Sequence, residues 1–464
     1  MSWNPRTIID SGEFGDPFTI LDRDVEMLLH LAKSKGLEAQ VTGELRLDSV
    51  TRFAVSQVTQ HHDLSTLSLQ LVLYKDGRRS TASTTLIDHP ETLLKQAEDA
   101  LNGSPPNEFD QGFPSPRPGD SLDLSAKPWT IEERADAVIT SVNAAEEVDS
   151  GVIVAGTASS TSNYFRIIST EGTDVESASS GNYFKVNSIL GPPESRGYGQ
   201  EETQWRHTMP SFENYAQEAT RTAKDTLDLK TFVPGEYEVV LGPRAVTDLM
   251  NFIQFGTNPV GFHEGTSYSA DKLGDQVFDE KITIRDLPKD ASKVFFTRLF
   301  DSEGIPTQNR IFVEDGSLKF IPYDSFSAAK YLGDKNEATG NSGGGFFGGA
   351  FLGSAILELG DQSIEDQILS IKDGLYVKSF WYNRFTDRRR GGLTGLTRNG
   401  LYHIKDGEIN GAVRNLRYTE SFLRAFEQGN VQSIGNESRM FMFNTVPSVH
   451  LSKFRFSSVA HSMS

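Results

Sequence analysis

The sequence predicts an α+β protein of two domains, a mixed helix and strand domain over residues 1–230 and a β-rich domain over residues 231–464. Apolar residues at helical spacing alternate with period-two stretches up to about Lys230. After that point strand patterns and glycine turns dominate, and few helix candidates precede Glu420. The length of 464 residues also exceeds the ~100–200 residues of an average single domain.

Four helices are predicted in the first half from their apolar spacing and their end signals. Three of them cover residues 21–36, 130–147 and 211–227, and the last of these is more polar. Another helix begins at Pro90. Gly36 follows the first of them, where a helix commonly ends in a left-handed glycine. We expect the first helix to pack one face on a sheet.

Strands between these helices are predicted from apolar residues at alternate positions. Phe53, Val55 and Val58 indicate one strand, and residues 67–73 indicate a second, half-buried strand. The proline-rich segment 103–118 predicts an exposed linker loop within the first half. Three later strands are predicted over residues 152–158, 164–169 and 182–189.

The composition excludes several classes of protein. With 45 Lys and Arg against 63 Asp and Glu, the formal net charge is -18, so direct binding of nucleic acid is not expected. The absence of Cys excludes disulfides, thiolate nucleophiles and Cys-containing metal sites, and it fits a reducing compartment. Residues 1–18 lack the apolar block of a secretory signal, so we expect a cytoplasmic location.

Residues 338–357 carry no charge and contain seven glycines. A segment of this length could span a membrane as a helix, but each mid-helix Gly costs ~1 kcal/mol relative to Ala. We therefore predict a flexible, partly ordered loop and expect no membrane partner. Ser342 lies in a G-x-S-x-G match, and Gly343, Gly345 and Gly348 form a G-x-G-x-x-G match. Neither match follows a buried strand, which a nucleophile elbow or a dinucleotide site requires, so we reject both.

Two further motifs are incomplete. His263 and Glu264 begin the zinc motif H-E-x-x-H, but no second His follows, and Gly261 and Gly265 disfavour a helix there. The arginine run over residues 388–390 suits an anion clamp, yet such a run is more typical of an exposed turn. The residues alone therefore indicate no catalytic centre.

Five sequence blocks in the second half resemble the TldD/PmbA family, the so-called modulators of gyrase, and are most similar to its PmbA (TldE) branch. The blocks keep the family order and spacing. They are 235–243 (GEYEVVLGP), 265–268 (GTSY) with 273–277 (LGDQV), 301–308 (DSEGIPTQ), 338–341 (ATGN) and 400–409 (GLYHIKDGEI).

The resemblance implies a pair of related subunits, of which the TldD-type is a zinc peptidase with H-E-x-x-x-H on a helix and a late Cys. In this sequence the helix corresponds to residues 245–255, where Asn251 and Gly256 stand at the two His positions and Phe252 at the Glu position. Without imidazoles no zinc is held, and without the Glu no general base activates water. We therefore expect no metal or catalytic residue in this chain, and zinc in the partner.

The remaining apolar residues of this helix, Leu249, Met250 and Ile253, are candidates for core packing or for a subunit interface. The resemblance implies a non-catalytic partner of a TldD-like subunit, in a complex that cleaves unfolded or leader peptides. An extended peptide would pair with a sheet edge through main-chain hydrogen bonds. Two alternatives stay open, namely a homodimeric peptide-binding or structural protein without a peptidase partner and a hydrolase with an unfamiliar site.

Overall fold

The fold is described by a computed structural model that covers residues 17–85, 90–120, 126–343 and 349–460. Helices and strands are both abundant, which confirms the predicted α+β class. Within these residues, no helix combines the length and the apolar character needed to cross a membrane.

The first half consists of a six-stranded sheet with helices on one face. Along the described chain the elements are α1 (Pro17–Ser34), β1 (Glu38–Ala54), β2 (Gln57–Lys75), β3 (Arg78–Thr84), α2 (Pro90–Gly103), α3 (Ile131–Val148), β4 (Ile153–Ser169), β5 (Asp174–Leu190), β6 (Gly197–Trp205) and α4 (Phe212–Asp225). The strands pair antiparallel in the order β3-β2-β1-β4-β5-β6. Apolar residues at alternate positions point to one face, where α1 and α2 cover one end and α3 and α4 the other.

Local signals in the sequence position two of these helices. Thr130 caps α3, because its hydroxyl accepts the Glu133 N–H (3.1 Å) while the Glu133 carboxylate accepts the Thr130 N–H (2.9 Å). Helix α4 lies so close to β6 that a Cβ at Gly197 or Gly199 would collide with its carbonyl oxygens. Glycine is therefore required at both positions of β6.

The second half is built on a larger mixed sheet. Its described elements are β7 (Glu236–Leu241), α5 (Pro243–Gly256), α6 (Pro259–His263), β8 (Ile284–Asp286), β9 (Arg310–Glu314), β10 (Ser317–Leu318), α7 (Ser325–Leu332), β11 (Ala355–Leu357), α8 (Ile364–Leu369), β12 (Asp373–Asp387), β13 (Gly392–Lys405), β14 (Glu408–Ala412), β15 (Leu416–Ser421), α9 (Phe422–Ala425), β16 (Val431–Met440) and β17 (Asn444–Val459). Because β7 pairs with both β12 and β17, the strands β17, β15, β13, β12 and β7 form a closed ring. The two sheets lie on either side of Lys230, and the domain boundary placed there stays a prediction.

The predicted helices of the first half correspond to α1, α2, α3 and α4, but two strand predictions are wrong in extent. Val55 is not part of a strand: it forms the turn between β1 and β2 with Ser56, at φ angles of 51° and 58°, and is 71% exposed. The two strands predicted over residues 152–158 and 164–169 are one strand, β4. The polar stretch between them stays in the sheet because Ser160 is buried and donates a hydrogen bond to Asn182 on β5 (2.7 Å).

The segment 103–118 is not an exposed linker, which corrects the prediction. Phe113 is buried, and Asp110 is held by two hydrogen bonds from Arg79 (2.7 and 2.8 Å). Arg117 donates to the carbonyl oxygen of Ala338 in the second half (2.8 Å). The prolines therefore shape a segment that packs between the two halves.

The glycine-rich segment 338–357 is ordered at both of its ends. Asn341 is buried and donates to the Asp286 carboxylate (3.2 Å), and the segment ends in β11, which pairs with β8 and β17. These ordered ends agree with the prediction of a partly ordered loop. Its central part, residues 344–348 with Gly345 and Gly348, lies outside the described residues.

Candidate functional site

Helix α5 is the element that corresponds to the zinc helix of the family in the sequence. It starts after Gly242 with Pro243 in its first turn, and it packs on β12 and β17. Leu249, Met250 and Ile253 are only 1%, 2% and 2% exposed and belong to the core of this chain. Their burial gives these three residues a packing role.

Asn251 belongs to a cluster of uncharged polar side chains, here called the amide cluster, formed by Thr247, Asn251, Gln254 and Asn444. Asn444 begins β17, and its Nδ2 donates to Oδ1 of Asn251 (2.9 Å) and to Oε1 of Gln254 (3.1 Å). Thr247 donates to Oδ1 of Asn444, and Nε2 of Gln254 donates to two main-chain carbonyl groups (2.9 and 3.1 Å). The cluster therefore joins α5 to β17 through neutral hydrogen bonds.

Phe252 and Gly256 are surrounded by aromatic rings. The Phe252 ring packs edge-on against Phe385, with 4.9 Å between the ring centroids. Above Gly256 lies the ring of Tyr268, which is 1% exposed and would be 3.0 Å from a Cβ placed on Gly256. The Tyr268 hydroxyl donates to the Ile253 carbonyl oxygen (3.1 Å), so the space of a side chain at position 256 is filled.

These three positions do not fit a zinc ion. A catalytic zinc site takes three imidazole, carboxylate or thiolate ligands, whereas Asn251, Phe252 and Gly256 offer an amide, a phenyl ring and no side chain. Within the part of the chain that the structure describes, no group of three or more His, Asp or Glu is arranged to hold a metal ion. We therefore derive no metal-dependent step for this chain.

His263 lies at the end of α6, so the expectation that no helix forms there is wrong. Asn258 caps this short helix, with its side chain accepting a main-chain N–H (2.8 Å). Nε2 of His263 lies 2.9 Å from the Tyr323 hydroxyl, and its ring stacks on Tyr331 at 4.3 Å. Burial lowers the pKa of His263, which favours a neutral, hydrogen-bonded ring.

Two further candidates from the sequence are the arginine run 388–390 and Ser342. Residues 388–390 form the exposed turn after β12, as predicted, and the Arg388 guanidinium lies over the ring of Phe385 at 4.6 Å. Ser342 is buried: its N–H donates to Asp301 (3.0 Å), and its hydroxyl accepts from Ser302 (2.8 Å). A 3₁₀ turn rather than a strand precedes Ser342, so the geometry of a nucleophile elbow is not present.

Sequence reasoning missed Asp248, an acidic residue on α5. Its carboxylate accepts the N–H of Phe380 in β12 (3.0 Å). Burial raises the pKa of Asp248 to about 7, although Arg244 and the hydrogen bond from Phe380 act in the opposite direction. The sequence does contain a signal for this residue. Asp248 lies next to the apolar face of an amphipathic helix, where a fully solvated carboxylate is not expected.

Comparison with known proteins gives two family matches. The sequence model of the PmbA/TldA metallopeptidase central domain matches residues 124–227, and that of the C-terminal domain matches residues 234–458. Together they cover more than half of the chain.

Individual relatives agree with these matches. TldE from Thermococcus kodakarensis is 18% identical in sequence over 94% of this chain and 100% of its own, with a TM-score of 0.85. A proposed DNA gyrase modulator from Thermotoga maritima is 22% identical over 94% of this chain and 100% of its own, with a TM-score of 0.81. A metalloprotease TldD homolog from Buchnera aphidicola is 26% identical over 231 residues, which are 49% of this chain and 47% of the relative.

Proposed function

The chain belongs to the PmbA/TldD metallopeptidase family, and from that premise we propose that it is the non-catalytic subunit of a two-chain zinc metallopeptidase. Its partner is a TldD-like chain that holds the zinc ion. The substrates are unfolded peptides or leader peptides, which the complex cleaves by hydrolysis. The complex acts in the cytoplasm.

The proposal rests on the residues of α5, which lack the types needed for zinc-dependent catalysis. The family fold is kept around the helix, but Asn251 is hydrogen-bonded within the amide cluster and Gly256 is covered by Tyr268. A water-activating zinc centre needs ligands and a general base, and the corresponding positions of α5 have neither. A family framework without catalytic residue types is best explained by a role in assembly and substrate binding.

A sheet edge offers one means of binding peptides without catalytic residues. Within the described residues, β3 pairs only with residues 69–75 of β2, so residues 57–68 of β2 pair with β1 alone. No described strand pairs with their second edge, so an extended peptide can add there as a further strand through its main chain. Such binding tolerates varied peptide sequences because the main chain makes the contacts.

The proposal is tested by mixing this chain with a homologue that carries H-E-x-x-x-H. Light scattering at micromolar concentration should give a mass equal to the sum of the two chains, and cleavage of an unstructured peptide should require both. The homologue alone, at the same concentration, is the control. If it cleaves at the rate of the mixture, or if no mixed species forms, the homodimeric peptide-binding or structural protein becomes the better explanation.

Zinc content provides a second test. After dialysis, the isolated chain should contain far less than one zinc ion per chain, and the two-chain complex about one, as expected for a single catalytic centre. His403, whose Nε2 lies 2.7 Å from Asp373, and His263 are the matched control positions. About one zinc ion per isolated chain, lost in His263→Ala or His403→Ala, would show that this chain has a metal site of its own.

A further inference from the structure

A cavity of about 270 Å³ lies between the six-stranded sheet and the second half of the chain. On the sheet side it is lined by Phe165 and Ile167 of β4, which lie on the face away from the four helices. On the other side it is lined by Phe296, Phe300 and Phe351. The walls are thus largely aromatic and apolar, and we name this space the Arg298 cavity after the one guanidinium among its described lining residues.

Arg298 is 6% exposed, and its guanidinium lies over the rings of Phe296 and Phe351, at 5.7 and 5.1 Å from their centroids. Its Nε and Nη2 are buried and have no hydrogen-bond partner among the residues that the structure describes. Leaving charged donors buried and unpaired is costly, and such groups in native proteins usually have a protein, water or ligand partner. Arg298 therefore has two buried donors that no described protein group takes up.

Two buried carboxylates balance the charge of Arg298 without taking its hydrogen bonds. Asp301 accepts three main-chain N–H groups at 2.9 to 3.0 Å. Asp286 accepts the Ser354 N–H (3.1 Å) and the Asn341 amide (3.2 Å). Burial lowers the pKa of the Arg298 guanidinium, and Asp286 and Asp301 act to raise it, so the charge is compensated at longer range.

Other arginines of this chain show what the free edge of Arg298 fits. Nε and Nη2 of Arg79 bind the two carboxylate oxygens of Asp110 at 2.7 and 2.8 Å, and those of Arg166 bind Asp174 at 3.0 and 2.9 Å. This parallel pair of donors matches the two oxygens of a planar carboxylate. On Arg298 the same pair has no partner in the described part of the chain.

We propose that the Arg298 cavity binds the C-terminal carboxylate of a peptide, with the last, apolar side chain packed among its aromatic rings. A volume of about 270 Å³ is slightly below the ~300–1,000 Å³ of sites for drug-sized ligands, which suits one terminal residue. Asn163, whose buried Oδ1 has no partner within the described ranges, supplies an acceptor for a peptide N–H. This inference rests on the proposed function only for the peptide nature of the ligand.

The rest of the peptide has space along the open face of the six-stranded sheet. A groove of about 600 Å³ adjoins the Arg298 cavity and shares Thr42, Glu44 and Gln70 with it. The polar side chains of this face suit a peptide main chain, whose N–H and C=O groups need partners when they leave water. The peptide would therefore enter along the groove with its C-terminus foremost.

The test compares two forms of one fluorescent, unstructured hexapeptide that ends in Leu, the free acid and the C-terminal amide. Anisotropy with the full chain alone should show the free acid binding at least tenfold more tightly. Arg298→Gln should remove this difference, and Arg298→Lys should keep only part of it, because an ammonium lacks the parallel donor pair. Arg285→Gln, which removes an arginine paired with Glu358, is the matched control and should keep the full difference.

A second variant separates loss of binding from loss of folding. Ser179→Leu fills the cavity from β5 while Arg298 stays in place, and it should weaken free-acid binding at least tenfold at an unchanged melting temperature. Equal binding of acid and amide to the wild-type chain, no binding of either, or full binding by Ser179→Leu would overturn the proposal. These measurements need no partner chain, so a failure of the two-subunit proposal in light scattering is distinguishable from a failure here.

Discussion

The amide cluster, which joins α5 to β17, and the Arg298 cavity both contain buried polar groups. They differ in how these polar groups are hydrogen-bonded. In the cluster, both ends of the Asn444 and Gln254 amides are hydrogen-bonded. In the cavity, no described group accepts a hydrogen bond from Nε or Nη2 of Arg298. Buried polar groups in proteins normally have hydrogen-bond partners. The difference therefore indicates that the amide cluster has a structural role and that the Arg298 cavity is open to a ligand.

The two regions also differ in the free-energy cost of burying their polar groups. Neutral amides that are fully hydrogen-bonded cost little to bury, whereas a buried charge without a direct partner is expensive unless a ligand or nearby charges compensate it. The position where the family resemblance implies catalysis has thus become an ordinary packed region. Arg298, by contrast, lines a cavity that faces the first sheet, and two of its buried donors have no hydrogen-bond partner among the described residues.

The largest effect is expected from a charge placed under α5. Met250→Asp puts a carboxylate into the core, where it has no partner, and should lower the free energy of unfolding by about 3–5 kcal/mol or prevent folding. Urea unfolding followed by circular dichroism measures the change. Val260→Asp, at an exposed position of α6, is the control and should stay within about 0.5 kcal/mol of wild type.

The outcome of Met250→Asp also tests the packing role of α5. A variant that folds with wild-type stability but no longer forms the mixed species would show that Met250 contacts the partner subunit. The comparison between a closed α5 region and an open cavity would then be wrong.

The second largest effect is expected in the amide cluster. Asn444→Ala removes a bridge to Asn251, Gln254 and Thr247 and leaves their polar atoms buried, so it should cost about 2–3 kcal/mol in urea unfolding. Asn410→Ala is the control, because the Asn410 amide is exposed and bonds only to His403. A loss below about 0.5 kcal/mol for Asn444→Ala would indicate that water replaces the amide and that the cluster is not closed.

The two regions could not be predicted equally from the sequence, and the reason is the range of their interactions. Helix α3 could be predicted because its apolar spacing and its cap at Thr130 are local. The amide cluster joins Asn251 to Asn444, 193 positions apart, and neutral amides leave no pattern in either stretch. The absence of zinc ligands on α5 followed from the residue types, whereas the free edge of Arg298 depends on which side chains the fold brings near it.

A pH-dependent effect is expected at Asp248, beside the amide cluster. Its pKa of about 7 in the folded chain exceeds the ordinary value of 3.8, so the folded state binds more protons between pH 4 and 7. The stability contribution of this carboxyl group therefore falls as the pH rises through that window. Asp248→Asn keeps an acceptor for the Phe380 N–H and should be about 1–2 kcal/mol more stable than wild type at pH 8 but equal to it at pH 4.

A carboxylate of opposite behaviour provides the control for Asp248. Hydrogen bonds from the hydroxyl and the main-chain N–H of Ser363 lower the pKa of Asp366 at the start of α8, so its stability contribution is present above the ordinary pKa and lost on acidification. Relative to wild type, Asp366→Asn should therefore become less stable as the pH rises above about 4, whereas Asp248→Asn should become more stable. Parallel pH profiles for the two variants would show that burial does not raise the pKa of Asp248.

The smallest effect is expected for Ser342→Ala, on the edge of the glycine-rich segment. The substitution removes the hydrogen bond from Ser302 but keeps the main-chain bond to Asp301, so it should cost about 0.5–1 kcal/mol and leave peptide cleavage by the two-chain mixture within about twofold. Ser302→Ala is the matched control, because it removes the same hydrogen bond from the donor side. Equal small effects of the two variants would identify a structural bond. A loss of several hundredfold in cleavage for Ser342→Ala alone, with assembly unchanged, would identify Ser342 as a nucleophile and make the hydrolase alternative the correct one.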